Sequence, residues 1–191
     1  MSGDESFVFF GLVKKSEIYG KDEADDSGRS LYVTKYRFSF SKRLALHVFT
    51  RGDADDDPHD HPWDFWTFPL VAYNETVGHK QIHQQKVEQG KWHFRKATHV
   101  HRVTGSVFEA ALNKWEIFSE HLLIGENFVD YWRAPWLTSL AWYFFGEGKI
   151  VTIVWMSKPY REWGFYVKAE NGFVWVPWRQ YVDGTENWIK K

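Results

Sequence analysis

Short runs of β-branched and aromatic residues, each closed by Gly, Pro, Asp or Asn, recur along nearly the whole chain, and this rhythm limits its fold more than any other feature. The runs are Phe7 to Val13, Leu31 to Phe40, Leu44 to Thr50, Asp64 to Tyr73, Lys80 to Val87 and Trp92 to Arg95. Val100 to Val103, Ile150 to Met156, Trp163 to Val167 and Phe173 to Val176 follow. About ten short strands at such spacing predict an all-β antiparallel sandwich or barrel. In the second run Tyr32, Tyr36, Phe38 and Phe40 share one parity, and Lys35 and Arg37 the other, which is the two-residue period of a strand. The 191 residues suit a single domain spanning 1–191 with one core. No 20-to-50-residue period suggests a solenoid.

One region breaks the rhythm. Phe108, Ala111, Leu112, Trp115, Phe118 and Leu122 recur at helical steps. A second stripe, Trp136, Leu140, Tyr143 and Phe144, starts after Pro135 and stops at Gly146, a good helix start and stop. Two helices are therefore expected as an insertion at about 105–147. They would either pack on the outside of a barrel or lie across its mouth as a lid. Trp132, Trp136 and Trp142 would also suit a dimer or membrane-surface contact. Trp63, Trp66, Trp92, Trp155, Trp163 and Trp175 fall on or beside strand runs, where core packing would account for them. The polar stretch Asp22 to Gly28 reads as a loop.

Composition removes several function classes. With no cysteine there is no disulfide, thiol nucleophile or iron–sulfur cluster, so any metal must be held by nitrogen and oxygen. The 24 Lys+Arg against 25 Asp+Glu leave no basic field for nucleic acid. The first residues are acidic, unlike a secretory signal, and no run of about 18 apolar residues would span a bilayer. A cytoplasmic protein is expected.

The densest polar cluster is Asp53 to Asp64, with six of the 25 acidic residues and two of the nine histidines. His59 and His61 would share one strand face and form half of a metal site. Asp64 lies three residues beyond, past Pro62, where a kink would bring its carboxylate to the same centre. Further imidazoles stand at His99 and His101. Asp53, Asp55 and Asp57 resemble a calcium loop in spacing, but Pro58 stands where glycine is needed, so they read as a solvated loop. His47 reads as a satisfied core histidine, and His79, His83, His93 and His121 as surface or core residues. Arg102 and Arg161 are candidate anion holders, since a guanidinium grips a carboxylate or phosphate in two places. Arg161 would otherwise pair with a carboxylate to fix its strand.

His59-Asp-His61-Pro-Trp-Asp64-Phe resembles the first motif of the cupin superfamily, and Gly90 to Val103 resembles the second. Leu46-His47, the segment Arg161-Glu-Trp-Gly-Phe-Tyr166 and Val176-Pro-Trp-Arg179 are similar to small, mostly uncharacterised bacterial and phage cupins. The resemblance covers about 31–103 and 150–182. Asp64 stands nearer than the usual glutamate, and Lys96 where a proline is common. The resemblance implies a cupin-type double-stranded β-helix (a jelly-roll barrel) with metal ligands His59, His61 and His101. Asp64 would complete the sphere or act catalytically beside it, Arg161 would act on substrate, and His99 would line the pocket.

Neutral imidazoles suit Fe(II), Mn(II), Co(II), Ni(II), Cu(II) or Zn(II), and three protein ligands leave positions open for a reactant. Fe(II) is preferred, because oxygen activation benefits from a dry surround, which a chain with 19% aromatic residues can build. The leading expectation is a metal-dependent oxygenase (an oxidoreductase) acting on a small organic molecule. The alternatives are a metal-assisted isomerase or epimerase with a histidine base, or a non-catalytic small-molecule binder. A homodimer through barrel edges follows only by analogy with other cupins.

Overall fold

A computed structural model describes residues 5–8, 12–21, 29–53, 57–106, 136–170 and 172–182. The first helical stripe, the stretch 22–28, Asp55, Trp115, His121 and Trp132 lie outside the described residues. Twelve strands are found among those described. They are β1 (Glu5–Val8), β2 (Val13–Lys21), β3 (Arg29–Phe38), β4 (Leu44–Phe49), β5 (Phe65–Pro69) and β6 (Tyr73–Val77). The others are β7 (His83–Val87), β8 (His93–Arg95), β9 (His101–Ser106), β10 (Ile150–Met156), β11 (Gly164–Ala169) and β12 (Gly172–Pro177). The helices are α1 (Trp136–Phe145) and the short α2 (Trp178–Val182).

The strands form an all-β, jelly-roll-like fold with antiparallel pairing throughout. One sheet runs β1-β2-β3-β4-β10-β5-β8, and the other begins β7-β6-β9. The backbone of residues 58–60 stitches β9 to the β11-β12 hairpin. His59 exchanges both backbone hydrogen bonds with His101, at 2.9 and 3.0 Å. On its other side the Tyr166 amide donates to the Pro58 carbonyl at 2.8 Å. The histidine-bearing segment is thus a narrow strand built into the second sheet.

Strand β10 (IVTIVWM) lies between β4 and β5 and is covered on both faces, as its β-branched run suggests. On the inner face Phe49 and Ile150 meet Tyr73, Val87 and Val103 of the second sheet, and this is the barrel core. On the outer face Tyr36, Leu46, Val48 and Val151 meet Ala141, Trp142 and Phe145 of α1. Each fully buried side chain of this size contributes roughly 1.5–3 kcal/mol through area removed from water. Helix α1 therefore packs against the outside of the barrel, and the lid arrangement does not hold for it.

The face that α1 buries differs from the apolar stripe in its sequence. Trp136 and Tyr143 are 71% and 83% exposed, whereas Thr138 and Ala141 are buried. The helix is apolar almost all round, so its stripe cannot be phased from sequence alone; the close approach to β4 and β10 selects the small residues. The helix ends as expected, with Gly146 at φ 100° donating its amide to the Trp142 carbonyl at 2.9 Å.

Core packing fails to account for three of the strand tryptophans. Trp66, Trp92 and Trp155 line an open groove of about 350 Å³ on the outer face, and Trp92 is 56% exposed. The run Asp64 to Tyr73 is two strands, because the chain turns at residues 70–72. The polar β2 and the Asn74–Val77 part of β6 escape hydrophobic patterning altogether.

Candidate metal centre

Two elements bring three imidazoles together. His59 and His61 come from the stitching segment, and His101 from the start of β9, the backbone partner of His59. The three rings form a triangle with every pair of centroids 5.1 Å apart. His61 Nε2 and His101 Nε2 are 2.9 Å apart. Two nitrogens each about 2.1 Å from one ion and at right angles would be about 3 Å apart, so this spacing fits neighbouring metal ligands.

Protonation states suit the same purpose. Burial, the largest effect, pushes His59 down to about 4. Burial also holds His61 well below the usual imidazole range, helped by the neighbouring His101 and His59. Neutral imidazole is the form that binds a metal. Phe65 lies 4.5 Å from the His61 ring, while Phe165 and Trp163 lie 5.6 and 6.2 Å from His59. These aromatic rings pack around the centre.

A carboxylate absent from the sequence reading completes the arrangement. Glu75 on β6 is fully buried, and its Oε2 lies 2.8 Å from His101 Nδ1. Its Oε1 accepts a 2.7 Å bond from Arg95 Nη2. Burial pushes the Glu75 acid up. The hydrogen bond from His101, the nearby His99 and the charges of His101 and Arg95 outweigh it, so the group lies below its usual range, ionised. An ionised carboxylate only accepts, so His101 Nδ1 carries its proton and, in the neutral ring, Nε2 presents a lone pair toward His61. A carboxylate orienting a metal-binding histidine in this way also raises its basicity.

Glu75, His99 and His101 form a second group of ligand atoms in mutual reach. Binding there would require Glu75 to give up Arg95 or His101, whereas the His59, His61 and His101 set costs no existing carboxylate bond. His99 Nε2 is buried without a hydrogen-bond partner, 3.7 Å from Glu75 Oε1. It stands on the Glu75 side of His101.

Asp64 and Arg161 bond to neighbouring protein groups. Asp64 Oδ1 accepts from the Ala97 amide and the Tyr160 hydroxyl, each at 2.7 Å, and these bonds hold its carboxyl below the usual range. It belongs to neither group of converging ligand atoms among the described residues; beyond Pro62 the chain carries it to the β8–β9 connection instead. Arg161 is engaged with the protein itself. Its Nη1 pairs with Asp60 Oδ2 at 2.8 Å and donates to the carbonyls of His61 and Ala97, each at 3.1 Å. It is the strand-fixing residue of the two expected roles, and a positioning residue for the histidine segment. Asp53 and Asp57 are also structural: Asp53 Oδ2 accepts from the Val103 amide at 2.7 Å, and Asp57 accepts from the Tyr181 hydroxyl.

Glu75 lies outside the hydrophobic runs, in the polar stretch that follows Tyr73. Its only signal is alternation over five residues. The Glu75→Gln variant keeps the shape but loses the charge that orients His101 and compensates Arg95. Its affinity for a divalent metal is expected to fall about 10–100-fold, read by competition with a fluorescent chelator. An affinity within about twofold of the unmodified protein would remove Glu75 from the centre.

No protein-family model matches the chain, and no curated protein matches it. Among solved structures, it is similar to the crystal structure of Fe(II)-HppE with the alternative substrate (S)-1-HPP. The TM-score is 0.39 and the identity 13%, over 75% of this chain and 56% of that one. A second Fe(II) HppE structure matches with TM-score 0.35 and 13% identity, over 74% and 56%. DMSP lyase DddQ from Ruegeria pomeroyi DSS-3 matches with TM-score 0.31 and 10% identity, over 84% and 59%. The chain thus spans well under two thirds of the length of each. Likeness at this level says nothing of substrate or reaction.

Proposed function

We propose that this chain is a metal-dependent enzyme of cupin type, an Fe(II) oxygenase acting on a small organic molecule. The observation that carries the reading is the 5.1 Å triangle of His59, His61 and His101, two of them kept neutral by burial. Three protein ligands leave coordination positions for reactants. Fe(II), when bound, supplies the redox chemistry of dioxygen activation.

The chain's own residues bind, orient and shield. His101 is held by Glu75, and Glu75 by Arg95. The backbone carrying His59 and His61 is fixed by Asp60 and Arg161. Phe65, Trp163 and Phe165 crowd the imidazoles with apolar surface, which reduces side reactions with water.

Protein purified without chelator is expected to hold about one transition-metal ion per chain. A chain that stays empty when Fe, Mn, Ni, Cu and Zn are each offered overturns the reading. The unpartnered Nε2 of His99 favours a second reading, a metal-assisted isomerase with a histidine base. Oxygen uptake by the Fe(II)-loaded chain across a panel of small acids and alcohols supports the oxygenase. Turnover that is unchanged under strict anaerobiosis supports the isomerase.

A further inference from the structure

The polar parity of β3 faces the barrel lumen. Lys35 pairs in register with His47 of β4, and His47 with Thr152 of β10. Two residues along, on the same face, Phe49 and Ile150 belong to the barrel core. Arg37 lies one step the other way, opposite Ala45. The aromatic parity of β3 faces outward, where Tyr36 meets Phe145 of α1 with centroids 6.0 Å apart.

Lys35 is half-buried, and among the described residues no acid answers it. Among the described residues the Lys and Arg ion pairs join Lys15 to Glu17, Lys91 to Glu88, Arg95 to Glu75 and Arg161 to Asp60. None includes Lys35. Glu75 is already matched by Arg95. With a neutral His47 beside it, Lys35 adds an unmatched positive charge to the lumen, and a divalent ion at the histidines would add two more. Buried charge is costly unless it is paired. Burial, followed by the charge of Arg37, lowers the Lys35 ammonium to about 8, so it remains mostly charged at neutral pH. Across the lumen the Phe49 and Ile150 layer meets Val103 of β9, and His101 stands two residues along β9 on the same buried face, so Lys35 and the histidine centre share the barrel interior.

We propose that Lys35, with His47 beside it and the exposed Arg37 two residues along β3, forms an oxyanion subsite in the barrel lumen that grips the carboxylate, phosphate or sulfonate group of the molecule handled at the histidine centre. The substrate class is therefore a small organic acid. This deepens the metal-enzyme reading and rests on it for the word substrate; the anion subsite itself can be read without metal.

The test is calorimetric titration of metal-free protein with inorganic phosphate at fixed ionic strength, in parallel with metal loading. Lys35→Met is expected to weaken phosphate at least about tenfold, the loss of one charge-assisted contact. Lys35→Arg should stay within about threefold, and both variants should load metal like the unmodified chain. Because Lys35→Met removes an unanswered cation, its unfolding temperature should match or exceed that of the parent. Equal phosphate affinity in Lys35→Met, no phosphate binding by the parent, or a Lys35→Met chain that fails to fold each overturns the subsite. A parent that binds phosphate yet loads no metal supports the subsite and overturns only the metal reading.

Discussion

Replacing His59, His61 and His101 together by alanine is expected to abolish loading of Fe, Mn, Ni, Cu and Zn while leaving the barrel folded. Dedicated nitrogen sites bind divalent transition metals with about 10 kcal/mol or more, and the triple variant removes all three nitrogens of the centre. The fold should survive because the backbone of His59 makes the bridge to β9 and β11, and alanine keeps both the amide and the carbonyl. The imidazole edges face one another and the aromatic wall, so their loss opens a space without breaking a ladder. Metal content and far-ultraviolet circular dichroism read the two halves separately. A folded triple variant that still loads a full equivalent would place the metal elsewhere.

Asp60→Ala is expected to be the most destabilising single substitution at the site. The Asp60 side chain is fully buried and carries three partners: Arg161, the Gly164 amide at 2.8 Å and Trp175 Nε1 at 3.2 Å. Removing one member of a buried ion pair costs about 3–5 kcal/mol. Arg161 is 27% exposed, so water recovers part of its solvation and the low end applies, about 3 kcal/mol. For a domain of this size that is a fall in unfolding temperature of roughly 6–12 °C, measurable by calorimetry. Gly164 has no slack to compensate, since a Cβ there would stand 2.1 Å from the Val176 carbonyl oxygen. Asp60→Asn, which keeps an acceptor for the Gly164 amide, should recover part of the loss. An Asp60→Ala chain with unchanged stability would show that Arg161 and the backbone bonds alone hold the segment.

The fold could be read from sequence to the extent that hydrophobic residues alternate. Strand β10 appears with its expected bounds, and β3, β4, β8 and β12 within a few residues, because β-branched and aromatic residues recur there with period two. Strand β2 (VKKSEIYGK) carries mostly polar residues. It lies beside β3 near the end of its sheet, where backbone pairing rather than burial holds it. The turn at 70–72 divides a run that looks continuous, since Leu70, Val71 and Ala72 are apolar yet pack under α1 or into the core.

The candidate site divides in the same way. His59 and His61 announce themselves by spacing, because residues i and i+2 of an extended segment share a face. The choice of His101 over His99 depends on a β-bridge between residues far apart in sequence. Asp64 is near in sequence and turned away, whereas Glu75 is distant in sequence and in contact. Sequence proximity does not survive the kink at Pro62, and strand β6 returns Glu75 to the interior through its pairing with β9.

The amino-acid sequence by itself determined an antiparallel β architecture, a cysteine-free nitrogen and oxygen ligand chemistry, and an imidazole pair on one extended segment. Each of these is a property of local periodicity or residue type. The tertiary structure alone decided which carboxylate faces the histidines, which partner occupies Arg161, which face of α1 is buried, and that the lysine-bearing parity of β3 points into the barrel. Those outcomes depend on which strands become neighbours and which side of each sheet is covered. In β3 a helix covers the outer face at Tyr36, and the polar parity is left to line the lumen.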